Sequence, residues 1–88
     1  MTVDVHVPTP LRSYTGKANV VQAEGDTLAA VFQDLDRRYP GLRFRLIDEQ
    51  DRVREHIKLF VNRSPVTDLA CPLHAGDAVH IITAISGG

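Results

Sequence analysis

The chain has 88 residues, 43% of them hydrophobic, and a formal net charge of -1, a balance that suits one small globular domain better than a disordered tail. So short a chain buries a modest fraction of its surface, which leaves little room for a deep substrate pocket beside a core and weakens a stand-alone enzyme reading. The 10 Lys and Arg nearly balance the 11 Asp and Glu and form no long single-sign block, so a dominant attraction to nucleic acid is not indicated.

Val3, Val5 and Val7 alternate with Thr2, Asp4 and His6, which predicts a strand with one buried and one wet face. Pro8 and Pro10 remove backbone donors, and Ser13, Thr15, Gly16 and Lys17 supply turn residues before a second β-prone run over 19–23. The two runs predict a hairpin with a long, bent loop. Gly25, Asp26 and Thr27 then place capping groups ahead of Leu28, Val31, Phe32, Leu35 and Tyr39, which share one helical face. Gln33, Asp34, Asp36 and Arg37 occupy the polar face, and Pro40 and Gly41 stop the helix.

Residues 42–55 carry no decisive pattern: Leu42, Phe44, Leu46 and Ile47 suit a short helical turn or an extended segment, with an exposed charged loop after them. Ile57, Leu59 and Val61 alternate with Lys58, Phe60 and Asn62, predicting a strand that ends in a turn over 62–65, with Val66 beginning a short edge strand. After a tight turn at Gly76 and Asp77, residues 78–85 are apolar in both phases, Val79, Ile81 and Ile85 on one and Ile82 on the other, as in a central strand. The order strand, strand, helix, strand, short strand, strand predicts an α+β fold of the ubiquitin-like, β-grasp kind: a mixed sheet with one main amphipathic helix across one face. The expected organisation is a domain over 1–83 and a flexible C-terminal tail over 84–88.

Few side chains offer chemistry. His6, His56, His74 and His80 lack the close pairing or thiolate company of a metal site, so surface or strand-edge roles are expected. Cys71, the only cysteine, can form no intrachain disulfide, fits a reducing compartment, and suits core packing better than nucleophilic work. Asp48, Glu49, Asp51 and Glu55 alternate with Arg52 and Arg54 as in a solvated segment rather than a paired acid and base. Arg37, Arg38, Arg43 and Arg45 suit a solvated helix end, with a docking patch as the alternative. No nucleotide-binding glycine motif is present, so activation by ATP would come from another protein. With no basic-then-apolar leader and no run of 18 apolar residues, a cytoplasmic protein with no membrane partner is expected.

What remains is Ala84-Ile85-Ser86-Gly87-Gly88, where a central strand runs out into two residues without a Cβ. Five extended residues reach about 17 Å. A diglycine end is thin enough to thread a narrow channel and present a backbone carboxylate to another enzyme; a frayed terminus is the alternative.

The predicted element order, Gly25-Asp26-Thr27-Leu28 at the helix start, Gly76-Asp77 before the last strand and the terminal Gly87-Gly88 resemble the ThiS/MoaD family of sulfur carriers over essentially the whole chain. Val7-Pro8-Thr9-Pro10-Leu11-Arg12 with Thr15-Gly16 is most similar to the CysO-type members, which serve cysteine biosynthesis in actinobacteria. The resemblance implies that the chain is a carrier and not an enzyme, with no catalytic residue, metal or bound cofactor of its own. An adenylyltransferase related to the ubiquitin-activating enzymes would join the Gly88 carboxylate to AMP using Mg-ATP. Sulfide, or a persulfide from a sulfurtransferase, would then leave a thiocarboxylate for a sulfur-accepting synthase, and a metalloprotease would release the finished cysteine. Ile85, Ser86 and Gly87 would be recognised as the tail, which ends at Gly88 and would need no trimming. Phe60, on the wet phase of its strand, would touch the activating enzyme or pack under a loop. Two alternatives use the same terminus: the small subunit of molybdopterin synthase, and a modifier joined to lysines through Gly88.

Overall fold

A computed structural model describes residues 2–83. Five strands form one mixed sheet in the order β2-β1-β5-β3-β4: β1 Thr2–His6, β2 Val20–Glu24, β3 Ile57–Val61, β4 Ser64–Val66 and β5 Ala78–Thr83. β5 is central, parallel to β1 and antiparallel to β3. The tail expected over 84–88, and Ile85 of the predicted last strand, lie outside the described residues.

Alternation sets which face is covered. Val3, Val5, Val21, Ala23, Ile57, Leu59, Val79 and Ile81 are all buried and belong to one hydrophobic cluster. Helix α1, Leu28–Arg38, packs on that face through Leu28, Val31, Phe32 and Leu35, all fully buried, while Tyr39, the fifth member of the predicted stripe, is the half-buried residue just past the helix end. The β-grasp arrangement expected from the element order is the one observed.

The start of α1 is closed by groups distant in sequence. Helix ends leave backbone N–H groups without intrahelical partners. Thr27 Oγ1 accepts from Ala30 N, while the carbonyls of Cys71 and Leu69 accept from Leu28 N and Ala29 N at 3.2 and 2.9 Å. Cys71 is therefore half-buried in a structural loop that holds the helix, consistent with its packing role. Gly25 is dictated by space: a Cβ there would stand 2.7 Å from Val31 N and 2.9 Å from Ala30 C, both backbone atoms.

Asp34 ties α1 to the end of β2. Its carboxylate accepts from Glu24 N at 2.8 Å and from Arg38 Nε at 2.8 Å, and also meets Arg37. The Glu24 N–H first, then the arginines, hold its pKa down to about 2 against the opposing effect of burial. Arg37 and Arg38 thus belong to the last turn of α1, while Arg43 pairs with Asp51 at 2.9 Å.

The unassigned stretch 42–55 contains a short helix α2, Leu42–Leu46, whose Leu42 and Leu46 are fully buried, followed by the bridge between Ile47 and Val53. Asp48 organises the turn by accepting from Gln50 N and Arg52 N, and those N–H groups lower its pKa, Arg52 first. In the β1–β2 loop a 3-10 helix, Thr9–Thr15, buries Leu11.

Two boundaries are corrected: the second strand, expected over 19–23, is Val20–Glu24, and the turn after β3 is shorter than expected. The turn expected over 62–65 spans only Asn62 and Arg63, and Val66 ends the edge strand rather than beginning it. Pro65 sits inside β4 opposite Phe60, a position open to proline because an edge strand has one side without ladder partners.

Candidate functional site

β5 delivers the chain to residue 84 from the middle of the sheet, so the surface around Thr83 is what any protein taking the terminus must approach. Thr83 pairs with Ile57 on β3, and on the other side β1 runs parallel to β5 with His6 opposite His80.

Among the described residues the sheet face opposite α1 is half-buried to exposed, and it is graded. At its far end it is polar: Gln22 reaches Asp4 at 3.5 Å, and Asn62 bonds both Asp77 Oδ1 and Ala78 N. Asp77 also accepts from His74 N at 2.9 Å, and this bond and then the Asn62 amide hold its pKa below the ordinary carboxylate value. Toward the end of β5 apolar side chains mix with basic and aromatic ones: Ile82 faces the exposed Lys58, and behind that pair lies a longer row. Val20, His6, His80, Phe60 and Pro65 form one register row across all five strands, from β2 to β4. Ile82, beyond His80 on the same phase of β5, is 47% exposed, and Val20 is 41% exposed.

Phe60 is half-buried between His80 and Pro65 in this row. The row also contains a pair that sequence order hides: the imidazoles of His6 and His80 stack with centroids 4.3 Å apart. Each histidine was expected on a strand; their meeting depends on the β1–β5 register, which sets Asp4 against Ala78 and therefore His6 against His80. His56 and His74 are exposed elsewhere.

Beside the end of β5 lies a shallow depression of about 440 Å3, lined by His6, Pro8, Pro10, Arg12, His80 and Ile82 among others. Arg12 is held there by donating from Nε to Val7 O at 3.0 Å. Among the described residues no group of three or more His, Cys, Asp or Glu side chains is placed to hold a metal ion, and no helix is long and apolar enough to cross a membrane. The carboxylates of residues 48–55 are not gathered into a site: Asp48 serves its turn and Asp51 pairs with Arg43. The arrangement can recognise a surface. Gly88, Gly87, Ser86 and Ile85, the tail residues expected to carry the chemistry, lie outside the described residues.

The chain's similarities agree with this geometry. The ThiS family profile matches residues 5–88. The sulfur carrier protein CysO of Mycobacterium tuberculosis is 40% identical over 93 residues, with 100% of each chain covered. The crystal structure of Mycobacterium tuberculosis CysO superposes with a TM-score of 0.89 at 38% identity, covering 94% of this chain and 99% of the other. The CysO-type fold in the crystal structure of the Amycolatopsis orientalis BexX/CysO complex gives a TM-score of 0.91 at 32% identity, covering 98% and 99%.

Proposed function

This chain belongs to the ThiS family, and from that membership we propose that it is a sulfur carrier of the CysO type serving cysteine biosynthesis, with the Gly88 carboxylate as its covalent attachment point. The observation that carries the proposal is the extent of the likeness: the family match runs through residue 88, so it includes Gly87 and Gly88 along with the body.

The chemistry proceeds on that carboxylate in the hands of partner enzymes. A carboxylate is a poor electrophile; an adenylyltransferase attaches it to the α-phosphorus of ATP, releasing pyrophosphate and giving an acyl adenylate. Sulfide attacks the acyl carbon, AMP departs and a thiocarboxylate remains; a persulfide attacking the same carbon leaves an acyl disulfide, from which a second thiol releases the thiocarboxylate by taking the other sulfur into a disulfide. Splitting the transfer through an activated intermediate replaces one difficult step by two easier ones. The thiocarboxylate sulfur is the nucleophile delivered to the accepting synthase. The carrier supplies no acid, base or metal. Its body supplies a docking surface, for which Ile82, exposed next to the end of β5, and the row of Val20, His6, His80, Phe60 and Pro65 behind it are suited. The solved BexX/CysO complex is a precedent for a relative held by a partner protein. The lone Cys71 and the reducing chemistry of a thiocarboxylate support a cytoplasmic setting.

Intact-mass measurement on protein isolated from its native cells tests this. A species heavier by the difference between sulfur and oxygen is expected, and it should vanish when Gly87 and Gly88 are deleted. Finding only lysine-linked adducts, with sulfur metabolism untouched by the deletion, would sink the carrier proposal.

A further inference from the structure

The most exposed large hydrophobic side chain among the described residues is not on the sheet. Phe44, on α2, is 58% exposed. It is also fixed. The Arg54 guanidinium lies over its ring at 4.6 Å, Arg54 Nε donates to Phe44 O at 2.7 Å, and Arg54 N donates to Leu46 O at 3.0 Å. Leu42 and Leu46 anchor the same helix in the core.

Its position follows from the backbone. Ile57 N donates to Arg54 O, so the turn carrying Arg54 opens directly into β3 at Ile57, which is the residue paired with Thr83. The Phe44–Arg54 pair therefore stands at the end of the sheet where β5 finishes, on the helix-covered side. Ile82, paired with Lys58, stands at the same end on the open side, and Phe60 lies farther back, opposite His80. A protein that draws in the chain beyond Thr83 meets an exposed apolar side chain on each side of the sheet, Ile82 on one and Phe44 on the other.

We propose that the Phe44–Arg54 ridge is a second contact for the adenylyltransferase that takes the tail, seated in an apolar pocket flanked by a carboxylate. This rests on the carrier reading and names a partner surface within it. Three features support the occupant. The ridge stands at the end of the sheet where β5 finishes. Phe44 shares a depression of about 290 Å3 with Arg45, Arg54 and His56 against the single carboxylate of Glu49, so its polar surround is predominantly basic. Finally, the cation–π stack and the backbone bond hold the aromatic ring in place before binding, which lowers the ordering cost that weakens most exposed side chains as anchors.

The test is carrier-dependent ATP–pyrophosphate exchange with the adenylyltransferase of the same organism, using the full chain. Phe44→Ala should raise the KM for the carrier about tenfold with kcat within about twofold, as expected for a lost docking anchor. Arg54→Gln should raise it several-fold and flatten its dependence on salt. Because Phe44 is exposed, thermal melts should place Phe44→Ala close to the unaltered chain, while Arg54→Gln, which gives up the bond from Nε to Phe44 O, should melt a few degrees lower and remain folded in the assay. The proposal is overturned if Phe44→Ala keeps its KM within about twofold while Phe60→Ala raises it. If the unaltered chain supports no exchange at all, the carrier reading fails and takes this surface with it.

Discussion

The imidazole of His6 stacks on that of His80, with ring centroids 4.3 Å apart and planes 22° from parallel. The stack joins Val20 on one side to Phe60 on the other and makes a continuous row out of residues from five strands. If the row is a docking surface, its aromatic character matters more than its basicity. His80→Phe should then leave partner affinity within about threefold, while His80→Ala and Phe60→Ala should each weaken it about three- to thirtyfold, as buried interface aromatics do. These two sites touch, so the double variant should lose less than the product of the single effects. Titration of the adenylyltransferase with each variant checks this, and equal losses for His80→Phe and His80→Ala would refute it.

Gly25 offers a test of the fold that has nothing to do with docking. A Cβ there would meet the Val31 and Ala30 backbone inside 3.0 Å, and a backbone neighbour cannot swing aside. Gly25→Ala should cost about 1–3 kcal/mol as an overpacking change. For a domain this size each kcal/mol corresponds to roughly 4–8 °C in Tm. A melt unchanged by the substitution would mean that β2 and α1 approach less closely than described.

Much of this architecture was legible in the sequence, and the exceptions share a cause. The Val3, Val5 and Val7 alternation and the Leu28, Val31, Phe32 and Leu35 stripe each report one element's burial, and both were visible because periodicity is local. The His6–His80 stack, the Cys71 carbonyl on the α1 terminus and the place of Phe44 beside the tail exit are set by contacts between distant segments. Alternation put His6 on the wet face, but only strand order and register say which residue lies beside it. Residues 42–55 escaped because their determinants are mixed: two leucines bury α2, while Asp48 bonds to the backbone to form the turn, and neither leaves a repeating pattern.

Acid should loosen the seam between α1 and β2. Asp34 has a folded pKa of about 2, below the ordinary carboxylate value. A group depressed on folding stabilises the native state above its unfolded pKa and loses that contribution as pH falls through the folded value. The Asp34 contribution should therefore be whole at pH 5, decline from roughly pH 4, and be gone below about pH 2. Asp48 and Asp77, both lowered, act in the same sense. Asp34→Ala should lower stability by about 1 kcal/mol at pH 7, after discounting for solvent, and should make Tm less sensitive to pH between about 4 and 2. A variant with an undiminished acid slope would assign that slope to other carboxylates.

The last prediction separates the body from its terminus. α1 is closed by Thr27 and by the carbonyls of Leu69 and Cys71, and the buried core cluster runs from Val3 to Ile81. Deleting Gly87 and Gly88 should therefore leave Tm within about 2 °C, since two terminal glycines have no side chain to add to that core. The same deletion should abolish adenylation, because it removes the carboxylate that reacts and the two residues without a Cβ that let it pass a narrow channel. Replacing Gly87 by Val keeps the carboxylate and its distance from Thr83 but thickens the chain. Adenylation should then fall steeply while the truncated protein, still carrying Phe60, Ile82 and Phe44, competes with the intact chain for the enzyme. If the truncated protein fails to compete, affinity resides in the tail alone and the docking surfaces assigned to the body are not used.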